Sequence, residues 1–457
     1  MELIQKLIEF ILNRKWLGIL LVLGLVLGVG ISTFYRGVIS PHQRTDLTVY
    51  LIAGQMVAEG RADYIYKTEN IRGWHYIYPP ILAILLAPVS KWPLGATVPL
   101  AYLLSLACLA GTVMLSRCLP ENAGPAKTGL QGHASVPESL EYRPAKTGPQ
   151  GHASVPESLG CRPAPWQIAL AMFFCLPMLL NTLTRGQFGI ISLFFMAAIF
   201  YSYLTRRKVL AGLLLALAVA LKISPLAFLV FFFLMKREWR ILLSTAAGFG
   251  LFFFLLPSLA IGFHQNWELL KIWQDLMSAS QSSTTYHHYL WGELFTPFAE
   301  DNQSLYAVVT RFVWHSQAHF IRHYSTIVRW ITTGIGIVLL ALPFVKAKKT
   351  SPVPAQDPLR SLAEFSLFPM LMLFASPVTQ IHHYTVVYFL FIAALMIMDR
   401  VPRGSWTRKC LGFGLWTCAL SLTLGMIVPV MGYWGIPLWG SMLLWGVVLC
   451  SIRLQKA

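Results

Sequence analysis

Seven long apolar runs, each almost free of charged residues, limit what this chain can fold into more than any other feature. They cover residues 17–31, 94–116, 187–204, 241–262, 330–345, 411–430 and 436–450. About 20 consecutive apolar residues span a bilayer as an α-helix. Only 12% of the 457 residues are charged, whereas soluble domains carry about 25%. The sequence therefore predicts an all-α polytopic integral membrane protein and excludes a soluble enzyme.

Shorter apolar segments bring the predicted number of membrane passes to about twelve, with both termini on the same side. The most unusual segments are 209–221 and 225–235, a pair interrupted by Lys222. Each arm is too short for a full crossing, and broken helices at membrane depth are tolerated only where they are buried or line a cavity. Between the passes, 36–93 and 263–323 are long enough to form juxtamembrane helices, including an interfacial amphipathic stretch.

The net charge of +17 orients the chain in the membrane and does not indicate nucleic acid. One set of loops, with both termini, holds 24 Lys and Arg against 10 Asp and Glu, whereas the other set holds 10 against 9. Cytoplasmic loops carry such a basic excess. We therefore expect a protein of the cell (inner or plasma) membrane with both termini in the cytoplasm, the lipid bilayer as a partner, and no nucleic-acid partner.

Residues 118–166 form a predicted cytoplasmic insert that contains a direct repeat of 19 residues. Segments 125–143 and 144–162 are identical at 16 of 19 positions and are rich in Pro, Gly and Ser. Such a composition cannot bury a core, so the insert is predicted to be disordered. The chain then divides into 1–117, with the first two spans and the outer loop 36–93; the insert; and 167–457, with the remaining ten passes.

Asp46 follows the first span and begins a predicted helix over residues 46–58, with Arg44 two residues before it. A carboxylate is stabilised at a helix start, where it is either a helix N-cap or a catalytic group. The apolar positions of this helix are expected to lie on the membrane; they are Leu47, Tyr50, Leu51, Met56 and Val57.

Five further polar groups face the same predicted side of the membrane as Asp46: Arg185, Gln187, Lys222, His382 and His383. Ionisable groups at membrane depth are costly and usually functional. Alternatively, Lys222 snorkels to the headgroups and the two histidines form an ordinary interfacial turn. If the five groups converge, they predict a cavity open to the outside, whose cations suit a phosphate or pyrophosphate. No residue spacing indicates a metal site.

An ordered set of short motifs resembles glycosyltransferase family 87, the polyprenol-phosphate-mannose-dependent mannosyltransferases of the GT-C superfamily. The set covers about residues 17–400: Asp46, Val49-Tyr50, Ala53-Gly54, Gly60, Tyr64-Ile65-Tyr66, Tyr78-Pro79-Pro80, Ala87-Pro88, Asn181, Gly186-Gln187, Ala211-Gly212, Leu221-Lys222-Ile223-Ser224-Pro225, Asn302-Gln303-Ser304-Leu305, Arg311, Ser376-Pro377 and His382-His383. The repeat insert does not belong to this pattern.

The resemblance implies a GT-C-type fold and an inverting membrane hexosyltransferase on the outer face, mannose being the expected sugar. Asp46 would be the general base, and a polyprenyl-phosphate sugar would be the donor for a lipid or glycan acceptor, without a metal or other cofactor. Arg185, Gln187, Lys222, His382 and His383 would hold the donor's phosphate and sugar. The candidate acceptor or sugar contacts are Arg44, Tyr50, Asp63, Tyr78, Asn302 and Arg311, with Asp63 and Glu69 as lower-ranked carboxylates.

The main alternative is a secondary transporter or a lipid-sugar flippase, since twelve passes with both ends inside also suit a transporter. Transporters of this size usually show two matched halves. Here the first half has the outer loop and the broken pair, and the second half has the long outer segment, so the halves differ.

Charge sorting generates a prediction about orientation. In a variant without the seven native cysteines, Gln150→Cys should resist a membrane-impermeant thiol reagent on intact cells, whereas Ser280→Cys should react. Both should react after the cells are permeabilised. Labelling of position 150 alone on intact cells would invert the topology and place Asp46 in the cytoplasm.

Overall fold

The computed structural model describes residues 14–40, 45–68, 73–119, 162–223, 225–282, 296–315, 322–348 and 357–452. The helices in these ranges are α1 (Lys15–Phe34), α2 (Asp46–Ala58), α3 (Pro80–Leu86), α4 (Leu94–Arg117), α5 (Pro165–Arg185), α6 (Gly189–Leu204), α7 (Lys208–Leu221), α8 (Leu229–Met235), α9 (Trp239–Phe249), α10 (Leu256–Ile261), α11 (Phe263–Ser282), α12 (Leu305–Trp314), α13 (Arg322–Lys348), α14 (Pro358–Ala375), α15 (Val387–Arg400), α16 (Trp406–Ile427), α17 (Pro429–Tyr433) and α18 (Ile436–Ser451). A π-helical turn joins α9 to α10, and a 3₁₀ turn, Ile381–Val386, precedes α15. The described residues contain no strand beyond a single bridge between Asn302 and Gln380.

The predicted all-α membrane architecture is confirmed. Among the described residues, eight helices are long and apolar enough to cross a membrane, and each coincides with a predicted pass. The four other predicted passes coincide with the shorter helices α6, α7, α8 and α18. The broken pair is present as α7 and α8, with Lys222 directly after α7.

The centre of the bundle is formed by α14 and by the continuous stretch Ile381–Arg400, which are almost wholly buried. Aromatic rings fill the space around them: Phe365 packs against Phe200 with ring centroids 4.8 Å apart and against Phe232 at 5.3 Å. Such edge and tilted contacts stabilise aromatic pairs beyond the area that they bury. By contrast, α1 is almost entirely exposed. Its apolar surface is suited to contact with lipid.

The helix α2 is buried on several sides, so the expectation that its apolar positions lie on the membrane is wrong. Leu47, Tyr50, Leu51 and Met56 are all buried. The close approach of α3 is one cause, because a Cβ on Gly54 would lie 3.1 Å from the backbone carbon of Leu86. A Cβ at this distance would require the neighbouring backbone to shift, so glycine favours the close contact between α2 and the chain that leads to α4.

The helix α11 packs against the end of α9–α10 and supplies a hydrogen-bond donor that the backbone lacks there. Pro257 has no N–H to donate to the carbonyl of Phe253, one turn earlier. Asn266 of α11 supplies that bond, with its Nδ2 2.9 Å from the Phe253 oxygen. Farther along α11, Trp273 Nε1 donates to the carbonyl of Ile77 at 3.2 Å. The helix therefore anchors the segment that carries Tyr78.

Asn302 and Arg311 are buried and bond to backbone groups; their role as acceptor or sugar contacts stays a prediction. The Arg311 guanidinium donates to four backbone carbonyls at 2.6–2.8 Å, those of Tyr433, Pro297, Ala299 and Asn302. Asn302 accepts from the Thr379 N–H at 3.2 Å and donates to the Pro377 carbonyl at 3.3 Å. Together they hold the loop that leads into His382 and His383.

The predicted insert lies outside the described residues except for its two ends, which touch. Arg162 Nε donates to the carbonyl of Leu119 at 3.2 Å, so the chain leaves and re-enters the helical bundle at one place. Residues before and after the insert also pack together, since Thr33 Oγ1 of α1 donates to the Leu183 carbonyl of α5 at 3.4 Å. The three-part division of the chain stays a prediction.

Deleting residues 125–161, which spares Arg162, should leave the bundle intact because its ends already meet without the insert. The measurement is the unfolding temperature of the purified protein in detergent, compared with that of the full chain. A fall of more than about 2–4 °C, which corresponds to roughly 1 kcal/mol, would show that the insert contributes to the fold.

Candidate active site

Asp46 is the first residue of α2, and its side chain makes a tertiary contact. Thr45 occupies the N-cap position, so the alternative that Asp46 caps the helix is wrong. Instead, Asp46 Oδ2 accepts a hydrogen bond from Gln187 Nε2 at 2.7 Å. The bond joins residues 141 positions apart in the chain, and it links α2 to the turn between α5 and α6.

That turn is shaped by Gly186, which has φ +64°, a left-handed conformation that glycine adopts without strain. The Gln187 N–H bonds back to the carbonyl of Thr182 at 3.1 Å, which ends α5. A Cβ on Gly186 would lie 3.0 Å from Leu47 Cβ. The turn is therefore pressed against the start of α2, and Arg185 and Gln187 flank Asp46.

The pKa of Asp46 reflects opposing effects of burial and charge. Burial raises the pKa above the usual value for an aspartate; Arg185, the Gln187 hydrogen bond and Lys222 oppose that rise in decreasing order. The residue as a whole is half-buried. The result is a carboxylate that binds a proton more readily than an ordinary aspartate.

Lys222 and the two histidines lie where the helical backbone is interrupted at two other places, after α7 and before α15. Lys222 follows α7 in an extended conformation and is 6% exposed. It lies within electrostatic range of Asp46, His382 and His383, and Arg185 lies within range of His382. The rings of His382 and His383 are 4.3 Å apart. The structure thus brings together Asp46 and all five polar groups that the sequence singled out; their roles stay predictions.

Four buried polar atoms around Asp46 have no hydrogen-bond partner within the described part of the chain. They are Thr45 Oγ1, Gln187 Oε1, Lys222 Nζ and His383 Nδ1. A buried polar atom without a partner costs about 1–3 kcal/mol, and native proteins leave few of them. Their concentration at one place indicates a site that a polar ligand completes.

A wall of aromatic residues closes one side of the site. The hydroxyls of Tyr50 and Tyr78 are 3.1 Å apart, and Tyr50 packs edge-on against Phe188. Burial raises the pKa of both tyrosines, and the Asp46 charge raises each further, so both hydroxyls remain protonated. Both had been predicted as acceptor or sugar contacts, and the structure places both near Asp46.

The residues that support this wall were only partly found from the sequence. Tyr66 donates to the Tyr78 carbonyl at 2.9 Å, and Tyr76 donates to the Pro79 carbonyl at 2.6 Å. Tyr66 belonged to the recognised motifs, whereas Tyr76 and Thr45 were missed. The signal for Tyr76 was its spacing, since Tyr64-Ile65-Tyr66 is followed by a second Tyr-Ile-Tyr triplet at 76–78.

The remaining predicted site residues are Asp63, Arg44 and Glu69. Asp63 is exposed in a short 3₁₀ turn after α2. Arg44 and Glu69 lie outside the described residues. Among the residues that the structure describes, no group of three or more His, Cys, Asp or Glu side chains is arranged to hold a metal ion.

Comparisons with known proteins identify relatives of the chain. The model of glycosyltransferase family 87 matches residues 76–377, a range that includes Arg185, Gln187 and Lys222, begins after Asp46 and ends just before His382. A curated relative is the polyprenol-phosphate-mannose-dependent alpha-(1-2)-phosphatidylinositol mannoside mannosyltransferase of Mycolicibacterium smegmatis. It is 25% identical over 392 residues, which are 82% of this chain and 75% of the relative.

A solved structure is also similar to the chain. It is that of ArnT from Cupriavidus metallidurans bound to undecaprenyl phosphate, and the likeness covers 95% of this chain and 76% of ArnT. The sequence identity is 15% and the TM-score is 0.37. At this TM-score the two structures differ too much for residues to be carried from one to the other.

Removing the Arg185 charge should raise the pKa of Asp46 further, because Arg185 is the strongest influence that opposes the effect of burial. In Arg185→Gln the infrared band of the protonated Asp46 carboxyl should therefore appear at a higher pH than in the wild type. The band is assigned by its loss in Asp46→Asn. Arg61→Gln is the matched control, since Arg61 is an exposed arginine paired with Glu59. An unchanged or lower titration point in Arg185→Gln would contradict the assigned charge balance.

Proposed function

The chain belongs to glycosyltransferase family 87, and on that premise we propose that it transfers mannose from a polyprenyl-phosphate donor to a lipid-linked or glycan acceptor. Family membership also implies the GT-C type of fold, as the sequence motifs did. The curated relative is named for its dependence on polyprenol-phosphate mannose, which supports both the donor and the hexose. The observation that carries the proposal is the carboxylate of Asp46 beside Arg185, Lys222 and several unpartnered buried polar atoms.

The cations suit the phosphate of the donor. Lys222 is buried, and its Nζ has no partner among the described residues. A buried ammonium is stable only when it is paired, and a lipid phosphate is the anion that a polyprenyl-phosphate sugar brings. Arg185 adds a second positive charge near Asp46. We assign donor phosphate binding to Lys222 and Arg185, with His382 and His383 beside them.

Asp46 is proposed as the general base. Its carboxylate takes the proton of the acceptor hydroxyl while that oxygen forms a bond to the anomeric carbon. The bond between the anomeric carbon and the phosphate oxygen breaks, and its electron pair leaves with the lipid phosphate. Attack opposite to the leaving group inverts the anomeric configuration. The phosphate leaves as an anion, so the cations stabilise the developing charge and no strong general acid is needed.

The environment of Asp46 suits this role. A general base works best when its pKa approaches the operating pH, and burial moves the pKa of Asp46 upward in that direction. Tyr50 and Tyr78 carry protonated hydroxyls next to it. They are assigned as contacts to the acceptor or to the sugar.

The proposed reaction takes place at the outer face of the cell membrane, with both termini in the cytoplasm. The basic excess of the opposite set of loops supports this orientation. The polyprenyl chain of the donor would lie in the bilayer beside the bundle. Membership of a transferase family supports a transferase over the transporter or flippase alternative. No described feature of the site favours that alternative.

Asp46→Asn should lower the rate of transfer by about 10²- to 10⁴-fold, the usual effect of losing a general base. Asn keeps the shape and an oxygen that accepts from Gln187, so folding and donor binding should persist. The assay uses purified protein in liposomes with radiolabelled mannosyl polyprenyl phosphate and an extract of lipid and glycan acceptors, and it counts label in new glycosides.

The matched control is Asp63→Asn, which changes an exposed carboxylate of the same outer loop and should leave the rate unchanged. Donor binding and the unfolding temperature are measured on both variants. Near-normal turnover by Asp46→Asn would remove the base assignment; the Asp63→Asn rate would then show whether Asp63 is the base, and Glu69 would be tested next.

A further inference from the structure

One end of the Gln187 side-chain amide makes a hydrogen bond, and the other end makes none within the described residues. Its Nε2 donates to Asp46 Oδ2 at 2.7 Å. An ionised carboxylate only accepts hydrogen bonds, so Asp46 fixes which end of the amide faces it. The amide oxygen, Oε1, must therefore point away from the carboxylate.

The free oxygen of Gln187 is buried and has no partner within the described ranges. Gln187 is 3% exposed, and its Oε1 is one of the four unpartnered buried atoms around Asp46. The backbone N–H of Gln187 is bonded to the Thr182 carbonyl, and Gly186 is pressed against Leu47. The side chain thus starts from a fixed backbone, and it cannot turn toward another partner without releasing Asp46.

The chemistry of Gln187 Oε1 limits which group of a ligand can bond to it. A carbonyl oxygen accepts hydrogen bonds and repels the oxygens of a phosphate, so Gln187 does not belong with the phosphate-binding cations. Lys222 Nζ is the complementary case, since it is a donor without an acceptor. A ligand that satisfies both atoms carries an anion for Lys222 and a hydroxyl for Gln187. A sugar phosphate has both groups.

The position of Gln187 next to the proposed base identifies the hydroxyl. Asp46 contacts the acceptor oxygen as that oxygen attacks C1 of the sugar, and Gln187 contacts Asp46. The hydroxyl nearest to C1 on a hexose is the one on C2. Hydrogen bonds to this hydroxyl strengthen in the transition states of glycosyl transfer. It is also the group whose orientation distinguishes mannose from glucose.

We propose that Gln187 Oε1 accepts a hydrogen bond from the C2 hydroxyl of the transferred hexose, and that this bond sets the preference of the enzyme for mannose. The inference rests on the proposed function. It gives Gln187 two contacts from a single amide, one that orients Asp46 and one that recognises the sugar.

The test compares three donors, mannosyl polyprenyl phosphate and its 2-deoxy and 4-deoxy forms, with the wild type and with Gln187→Met. Methionine has a similar length but no amide. It releases Asp46, so kcat should fall with every donor. The preference for mannose over the 2-deoxy sugar should also fall, by about 10- to 100-fold in kcat/KM, the range expected for losing a buried hydrogen bond.

Comparing this preference between the two proteins cancels the intrinsic reactivity of the 2-deoxy donor. The preference for mannose over the 4-deoxy donor is the internal control and should be the same in both proteins. A purely structural role of Gln187 would lower all three rates together and leave both preferences unchanged, and that result would overturn the inference.

Three further outcomes have different meanings. If Gln187→Met does not fold, as judged by its unfolding temperature, the same comparison is made with Gln187→Asn, which is one methylene too short to reach both partners. If the wild type transfers sugar from none of the three donors, the proposed function itself fails. If the wild type transfers but its preference for mannose persists in the variant, only the inference about Gln187 fails.

Discussion

Four interruptions of helical backbone meet around Asp46, and the rest of the structure depends on their being buried together. They are the start of α2, the turn at Gly186, the end of α7 at Lys222 and the 3₁₀ turn that carries the histidines. At membrane depth no water is available for backbone groups that a break releases. Here the N–H groups of Gln187, Lys222 and His383 each bond to a backbone carbonyl nearby in sequence. The backbone is thereby satisfied locally, and the side chains are left to face one another.

Away from these four interruptions, side-chain donors bond to backbone carbonyls. Asn266 supplies the bond that Pro257 cannot make to Phe253, and Arg311 serves four carbonyls at the junction of three segments. Both sets of bonds support segments next to the site. α11 holds the segment before Tyr78, and Asn302 holds the loop before the histidines. The precision of the site therefore depends on carbonyl groups well away from Asp46.

The sequence predicted the helices and the polar residues of the site for physical reasons that do not extend to their partners. Apolar runs and the cost of charge at membrane depth identify passes and pick out Lys222 without any tertiary information. Periodicity shows that α2 has apolar positions but not what covers them, and α3 covers some of what was expected to meet lipid. A short motif does not show which groups a side chain bonds, so the backbone partners of Asn302 and Arg311 come from the structure alone. For Gln187, only the structure shows which end of the amide is free.

The balance of charges around Asp46 also couples donor binding to the strength of the proposed base. In the free protein, Arg185 and Lys222 hold the pKa of Asp46 below the level that burial alone would set. An anionic phosphate placed on these cations cancels part of their potential and adds negative charge near the carboxylate. Both effects favour the protonated form of Asp46, so its pKa rises when the donor is bound. Under the proposed function, the carboxylate would thus be a stronger base with a donor sugar in place and a weaker base, less prone to capture a proton, without one.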